Sequence, residues 1–328
     1  MGMVLFRAPP MPVPPAQYSQ QYGTQLIRVL GVYFSQLDSK TPIQADAFIG
    51  GTFEGTTYTG DQFTGGDFDG DTFTGDHFVG GDFAGSGLGI TLPYGSFYDT
   101  TNQAGGSVTT EYPMRLAATD ISSGVSVASR SAAFTGSIAL TVLTVASGLT
   151  GLVFPGMLIA GTTVTADTYV VDQLSGTSGG VGTYTVSVSQ TVTSRALTGA
   201  MATKLTVTNA GIYNLQFSTQ FINTAAADHS IDVWFRKNAT TPTGAGIANS
   251  NSTFTVPLKV TTVNGRLVAS LNYMIQLAAA DFVEIMWHSD DVGVSIATLP
   301  AVAAGVGTPA IPQTPGVIAT LQFVSAIP

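Results

Sequence analysis

Residues 46–85 read DAFIG, GTFEG, TTYTG, DQFTG, GDFDG, DTFTG, DHFVG, GDFAG, an unbroken run of five-residue units. Their centres are Phe48, Phe53, Tyr58, Phe63, Phe68, Phe73, Phe78 and Phe83, and each unit closes on a glycine, from Gly50 to Gly85. Few features restrict a chain more. A flat strand alternates faces at every residue, so rings five apart would fall on opposite sides. Each unit must therefore bend, and the recurrent glycine, lacking a Cβ, supplies the bend. A short unit of this kind cannot bury its ring alone and has to stack on copies of itself.

Two arrangements satisfy that need. A single chain can coil into a small solenoid, and in this the segment resembles the pentapeptide-repeat family, whose square coils turn the central apolar residue inward. That family also places a small apolar residue two positions before the centre, where this chain has Asp46, Gly51, Thr56, Asp61, Gly66, Asp71, Asp76 and Gly81. Alternatively, three chains run side by side and their rings meet on a common axis. Extended at ~3.3 Å per residue the segment would span on the order of 100 Å, whereas a solenoid advances only ~4.8 Å per coil. The four aspartates among them would be awkward inside a coil, which favours the trimeric stem.

Upstream, prolines at 9, 10, 12, 14 and 15 break residues 1–15, so no apolar helical segment of signal-peptide type is expected there. From about Ala16 to Asp38 the spacing of Tyr18, Tyr22, Leu26, Val29, Leu30, Tyr33 and Leu37 predicts an amphipathic helix. Ile27 and Phe34 widen its apolar surface beyond one stripe, which points to an anchor or self-association helix with Tyr18, Tyr22, Leu26, Leu30, Tyr33 and Leu37 as its contact residues.

Downstream of a turn-rich link at residues 86–95 the sequence is β in character. Strands are expected at Gly95–Tyr98, Met114–Ala117, Val125–Ala128, Leu205–Val207, Ile212–Phe221, Ile231–Lys237, Phe254–Val260, Arg266–Gln276, Phe282–His288 and Val317–Val324. The fold class is thus mainly β: an N-terminal helix, a short aromatic and glycine repeat forming a β-solenoid or trimeric β-stem, and a C-terminal β-sandwich or jelly roll. Tyr213, Leu215 and Phe217, together with Trp234 and Trp287, are the expected head core.

Charge excludes several functions. With 11 Lys and Arg against 20 Asp and Glu, a net charge of -9, there is no basic surface to neutralise phosphates, so nucleic acid is not an expected partner. No stretch approaches the ~18 apolar residues that spanning a bilayer needs, so membrane insertion is not expected either. The absence of cysteine removes disulfides and thiolate metal sites.

Three segments resemble known families. AGIYNLQFS at 210–218, IDVWFRKN at 231–238 and ADFVEIMW at 280–287 are similar to successive strands of the trimeric jelly roll of the complement and tumour-necrosis-factor type, found in many bacteriophage virion proteins. Residues 131–200, with GMLIAGTTV at 156–164 and GGVGTYTVS at 179–187, resemble a small β-module scattered through phage and environmental virion proteins, here read as an insertion. The helix, through QQY at 20–22, LIR at 26–28 and YFSQL at 33–37, resembles the start of marine phage appendage proteins. The implied organisation is an arm and anchor helix at 1–45, a repeat stem at 46–90, a head at 91–130 plus 201–328, and an inserted module at 131–200.

Searching for chemistry gives little. His77, His229 and His288 are scattered and stand in no ligand motif, and no serine sits in a nucleophile elbow. Asp67, Asp69 and Asp71 alternate as in a calcium loop, but Phe78 stands where the bidentate glutamate belongs. No catalytic residue, metal or cofactor is expected. His288, Asp290 and Asp291, following Trp287, are candidate tip contacts for a sugar-binding loop, since aromatic faces stack on pyranoses and carboxylates accept their hydroxyl hydrogens. The resemblances imply a non-enzymatic virion protein, a homotrimeric tail fibre or receptor-binding appendage. It would attach to other virion proteins through its N-terminus and meet a host-surface glycan or protein with its head. A capsid head fibre or decoration protein, and in another class a secreted glycan-binding module, are the alternatives.

Overall fold

The computed structural model describes Val13 and residues 20–37, 52–59, 62–65, 67–74, 77–80, 83–84, 92–244, 246–305 and 307–326. The chain divides into two units, Met1–Ile90 and Thr91–Pro328. It is mainly β, with a single described helix near the N-terminus.

That helix, α1, spans Gln20–Leu37, inside the interval its apolar spacing predicts. Tyr22, Leu26, Val29 and Leu30 are half-buried, while Ile27 is 73% and Val32 47% exposed. Tyr33 and Leu37 lie on its last turns, and Tyr18 falls outside the described residues. No described helix is long and apolar enough to cross a membrane.

Five short strands follow: β1 (Thr52–Thr59), β2 (Gln62–Gly65), β3 (Asp67–Thr74), β4 (His77–Gly80) and β5 (Phe83–Ala84). They pair in parallel within the one chain. Phe53 is opposite Phe68 and Tyr58 opposite Phe73; Phe63 is opposite Phe78, and Phe68 opposite Phe83. Every partner is 15 residues on, so the pairing returns after three units, whereas a square coil would return after four. The three units of a turn fall on two sheets, β1-β3-β5 and β2-β4. Glycine recurs at matched positions, Gly55 opposite Gly70 and Gly65 opposite Gly80. Phe48 lies outside the described residues.

The described residues of the second unit form fifteen strands: β6 (Tyr94–Asp99), β7 (Gln103–Ala104), β8 (Tyr112–Pro113), β9 (Ala118–Ser123), β10 (Val125–Gly151), β11 (Leu158–Ala160), β12 (Val170–Gly176), β13 (Gly182–Val207), β14 (Gly211–Asn223), β15 (His229–Lys237), β16 (Ser252–Val256), β17 (Gly265–Leu277), β18 (Phe282–Ser289), β19 (Val294–Ile296) and β20 (Val317–Ser325). An eight-stranded front sheet runs β10-β13-β18-β15-β16, with β8, β11 and β12 attached, and a seven-stranded back sheet has β14 between β17 and β20, continuing to β6 and β9.

The two sheets enclose one core. Along β14 buried and outward residues alternate, placing Tyr213, Leu215, Phe217 and Phe221 inward. Phe217 meets Phe235 of the front sheet edge-on at 6.0 Å, and Phe221 meets Trp287 at 5.7 Å. Trp234 departs from its expected place in this core. It stands between Val233 and Phe235, both fully buried, and the two-residue period of β15 therefore turns its indole to the outer face, where it is half-buried. Met114–Ala117 also differs: Met114 and Leu116 are buried, but the segment after Pro113 is not a strand and instead donates N–H bonds from Met114 to Ile285 and from Leu116 to Ala202. The strand expected to continue to Val260 stops at Val256, ahead of Pro257.

The strands expected at 125–128 and 205–207 prove to be the roots of a long hairpin, β10 of 27 residues against β13 of 26, with register shifts near Ala128, Gly136 and Leu140. It leads into a second, separate core made of residues between Ala132 and Met201, including Phe134, Leu143, Phe154, Met157 and Tyr184. Its turn from β12 to β13 requires glycine: Gly176 has φ 96° opposite Gly182, and a Cβ on Gly176 would sit 2.1 Å from the Val181 carbonyl oxygen. Burial holds the Tyr184 hydroxyl up to about 12.

A buried charge network joins the two cores. Glu284 on β18 accepts from Arg130 Nε at 2.7 Å and Nη2 at 2.5 Å, and from Thr203 Oγ1 at 2.7 Å. The Arg130 guanidinium lies 4.0 Å from the ring centre of Phe154 in the second core. Arg236 on β15 approaches Glu284 to 3.5 Å and Glu111 to 3.7 Å, and donates to the Pro242 carbonyl at 2.7 Å. The 3.5 Å approach is an ion pair without hydrogen-bond geometry, since Arg236 Nη2 and Nε have no hydrogen-bond partner. Burial lowers the Arg236 pKa, opposed by Glu284 and Glu111. A second clamp is Tyr112, which packs on Trp287 at 5.5 Å and donates to the Val171 carbonyl at 2.8 Å. Burial, reinforced by Asp172 and Tyr169, raises its hydroxyl pKa.

Two outcomes are expected. Removing the shared anion by Glu284→Gln leaves Arg130 without a counter-charge and Arg236 with Glu111 alone, and should lower the unfolding free energy by roughly 3–5 kcal/mol in urea melts. Because the chain has no cysteine, Thr57→Cys with Thr72→Cys tests the repeat register cleanly. Oxidation should give a cross-link within one chain, and a denaturing gel dominated by linked chains would show that the pairing is between chains instead.

Candidate functional site

An open cleft of about 410 Å³ lies on the outer face of the front sheet. It is lined by Asp232 and Trp234 of β15, His288 of β18, and Gly246, Ile247, Asn249 and Asn251 from the loop leading to β16. The strand period that buries Ile231, Val233 and Phe235 gives Asp232 and Trp234 to this face, and Asp232 is directly opposite His288 in the ladder.

The loop is fixed by backbone ties. Ile247 N–H donates to the Phe235 carbonyl at 2.8 Å, the Ser250 hydroxyl donates to the Ile247 carbonyl at 2.7 Å, and Phe235 N–H donates back to Ser250 Oγ at 3.1 Å. Asn249 holds a left-handed φ of 62°, which asparagine tolerates better than most residues. Gly246 lies against the indole so closely that a Cβ there would stand 2.5 Å from Trp234 Cδ1.

Asp232 Oδ1 accepts from Thr253 Oγ1 at 2.5 Å and Asn251 Nδ2 at 3.2 Å, and its Oδ2 lies 3.9 Å from His288 Nδ1. His288 Nε2 is 2.9 Å from the Val108 carbonyl oxygen and donates to it, which fixes the ring. Asp290 and Asp291 belong to a neighbouring cluster, with Asp290 Oδ1 at 3.0 Å from His229 Nδ1 and Asp291 Oδ2 at 3.6 Å from His229 Nε2. The expected tip contacts are therefore divided, His288 in the cleft and the two aspartates beside it. No described group of three or more His, Asp or Glu side chains is arranged to hold a metal.

Asp232, Asn249 and Asn251 were not singled out by the sequence, and Trp234 was assigned to the core. The signal lay in IDVWFRK: once Ile231, Val233 and Phe235 are taken as the buried set, Asp232, Trp234 and Arg236 share the other face. Nothing comparable marks the loop residues, whose place depends on the turn.

No protein-family model matches the chain, and no curated protein matches it. The site is therefore read from its own geometry. It offers a half-buried indole beside one carboxylate, an imidazole and two carboxamides. These are groups that can stack on and hydrogen-bond a ligand.

The placement of the two tryptophans is open to a direct check. Trp287 is 1% exposed, whereas Trp234 borders solvent. Acrylamide should quench part of the native fluorescence, and Trp234→Phe should abolish the quenchable part. Equal quenching before and after that substitution would contradict the assigned faces.

Proposed function

We propose that the chain is a structural component of a phage particle, a homotrimeric tail fibre or receptor-binding appendage. It attaches through its N-terminal arm and helix and presents a jelly-roll head for host adsorption. The observation that carries this reading is the strand order of the head. Taking β6, β13, β14, β15, β16, β17, β18 and β20 in chain order, the back sheet has the first, last, third and sixth strands side by side. The front sheet has the second, seventh, fourth and fifth. Among these eight strands that order supports the reading of a two-sheet antiparallel jelly roll, as does the family resemblance of the segments at 210–218, 231–238 and 280–287.

The outer face of the back sheet supports self-association. Its outward residues include Ile318 and Tyr94 at 40%, Val268 at 54% and Met274 at 52% exposure, set among Asn214, Gln216, Ser218, Thr320 and Gln322. Across β14, β17, β20 and β6 only Arg266 brings charge to that face. Three-fold closure on this face would leave the front sheet outward.

Light scattering of the full chain should give three times the 33.8 kDa chain mass, and Ile318→Arg, which burdens that face with charge, should return it to one. A wild-type monomer would overturn the trimer. Imaging of intact particles with a label at the C-terminus should place the protein on the tail; label on the shell would instead favour a capsid fibre or decoration role, and particles without label would defeat the virion reading.

A further inference from the structure

The cleft on the front sheet has a composition that selects its ligand. Trp234 is the largest side chain in it, and its indole N–H makes no hydrogen bond to any described residue. The sheet below and Gly246 against its edge hold the ring in place, so it is a rigid apolar plate with an unused donor at its rim. Around it stand acceptors and donors in a fixed frame. Asp232 is oriented through one oxygen by Thr253 and Asn251, leaving Oδ2 facing His288 across 3.9 Å. Asn249 adds a carboxamide from a loop whose backbone is tied to β15.

An apolar plate beside oriented carboxylate and carboxamide groups matches one ligand chemistry. A pyranose has a C–H face that stacks on an aromatic ring and vicinal hydroxyls that both donate and accept. Phosphorylated or carboxylated ligands are disfavoured by the Asp232 carboxylate, by Asp290 and Asp291 nearby, and by the net charge of -9. The volume, about 410 Å³, lies in the range of ~300–1,000 Å³ usual for small-molecule sites, and the open mouth leaves room for the rest of an oligosaccharide.

We propose that this cleft binds one neutral hexopyranose unit of a saccharide, with Trp234 as the stacking platform, Asp232 accepting a hydroxyl hydrogen at Oδ2 and Asn249 completing the polar contacts. Binding itself follows from the cleft alone; that the saccharide belongs to a host surface rests on the appendage reading. One unit on an open site should bind weakly, with Kd on the order of 1 mM, and three such sites on one trimer would multiply the attachment.

The test uses the full chain and defined probes: neutral hexoses and their oligomers, with a sialylated saccharide as the acidic comparison, followed by saturation-transfer NMR and Trp234 fluorescence. At least one neutral hexose should give saturation transfer to its C–H face and protect Trp234 from acrylamide. Trp234→Ala should abolish both signals. Trp234→Phe, which keeps a ring, should retain the NMR transfer at an affinity within about tenfold, which separates loss of stacking from loss of fold. Asp232→Asn should weaken binding about tenfold, the effect of one charge-assisted hydrogen bond. The assignment is overturned if no neutral hexose binds, if the acidic saccharide binds better, or if Trp234→Ala binds as well as the wild type. The two readings fail separately. Saccharide binding by a protein that is absent from particles leaves the cleft and removes the appendage, whereas a particle-bound protein that takes no hexose does the reverse.

Discussion

A buried carboxylate, Glu284, ties together the two cores of the second unit. Glu284, with no exposed surface, is held by Arg130 on one side and approached by Arg236 on the other, and these three residues come from β18, β10 and β15 of one sheet. Burying a carboxylate costs several kcal/mol that only its partners return, so the ladder order β10-β13-β18-β15 is coupled to the ion pairs that cross it. Arg130 carries the coupling further, because its guanidinium also covers Phe154 in the second core and donates to the Ala239 carbonyl at 2.8 Å. The module is thus joined to the head by more than its two connecting strands. A module moving freely would have to expose Arg130 or withdraw it from Glu284.

The same network explains why one face of the front sheet has two characters. Outward positions on β15 run Asp232, Trp234, Arg236, and on β18 Glu284, Met286, His288. At the Arg236 and Glu284 end the face is buried; at the Asp232 and His288 end it is half-buried and lines the cleft. A single strand period therefore supplies both the joint and the site. The cleft lies on a sheet whose opposite face is packed core, with Val233 and Phe235 fully buried behind Trp234, and such backing limits how far the indole can move.

What could be read from the sequence follows the strength of local periodicity. β14 alternates a large apolar residue with a polar one, and Tyr213, Leu215 and Phe217 are buried where that alternation puts them. β10 and β13 are built largely of Ser, Ala, Thr, Val and Gly, with few large side chains to mark a face, so only their roots stood out. Arg130 and Glu284 are 154 residues apart, and no local pattern announces a pair at that separation. The repeat shows a further limit. Five-residue spacing requires bending and stacking, but the number of units per turn is set by backbone geometry, and the 15-residue pairing register was not contained in the spacing itself.

Low charge gives these features a common logic. Where only 9% of residues are charged, long-range electrostatics cannot orient subunits, and the surfaces must discriminate by shape, by hydroxyl and amide hydrogen bonds, and by exposed rings. The back face carries Ile318, Met274 and carboxamides with little charge. On the front face an acid, an imidazole and an indole converge. If three back faces meet on an axis, three front clefts point away from it, and a ligand too weak to hold one cleft can hold the assembly when it is presented repeatedly on a surface. In such an arrangement selectivity for a densely decorated surface would come from the trimer, and selectivity for the sugar unit from Trp234 and Asp232.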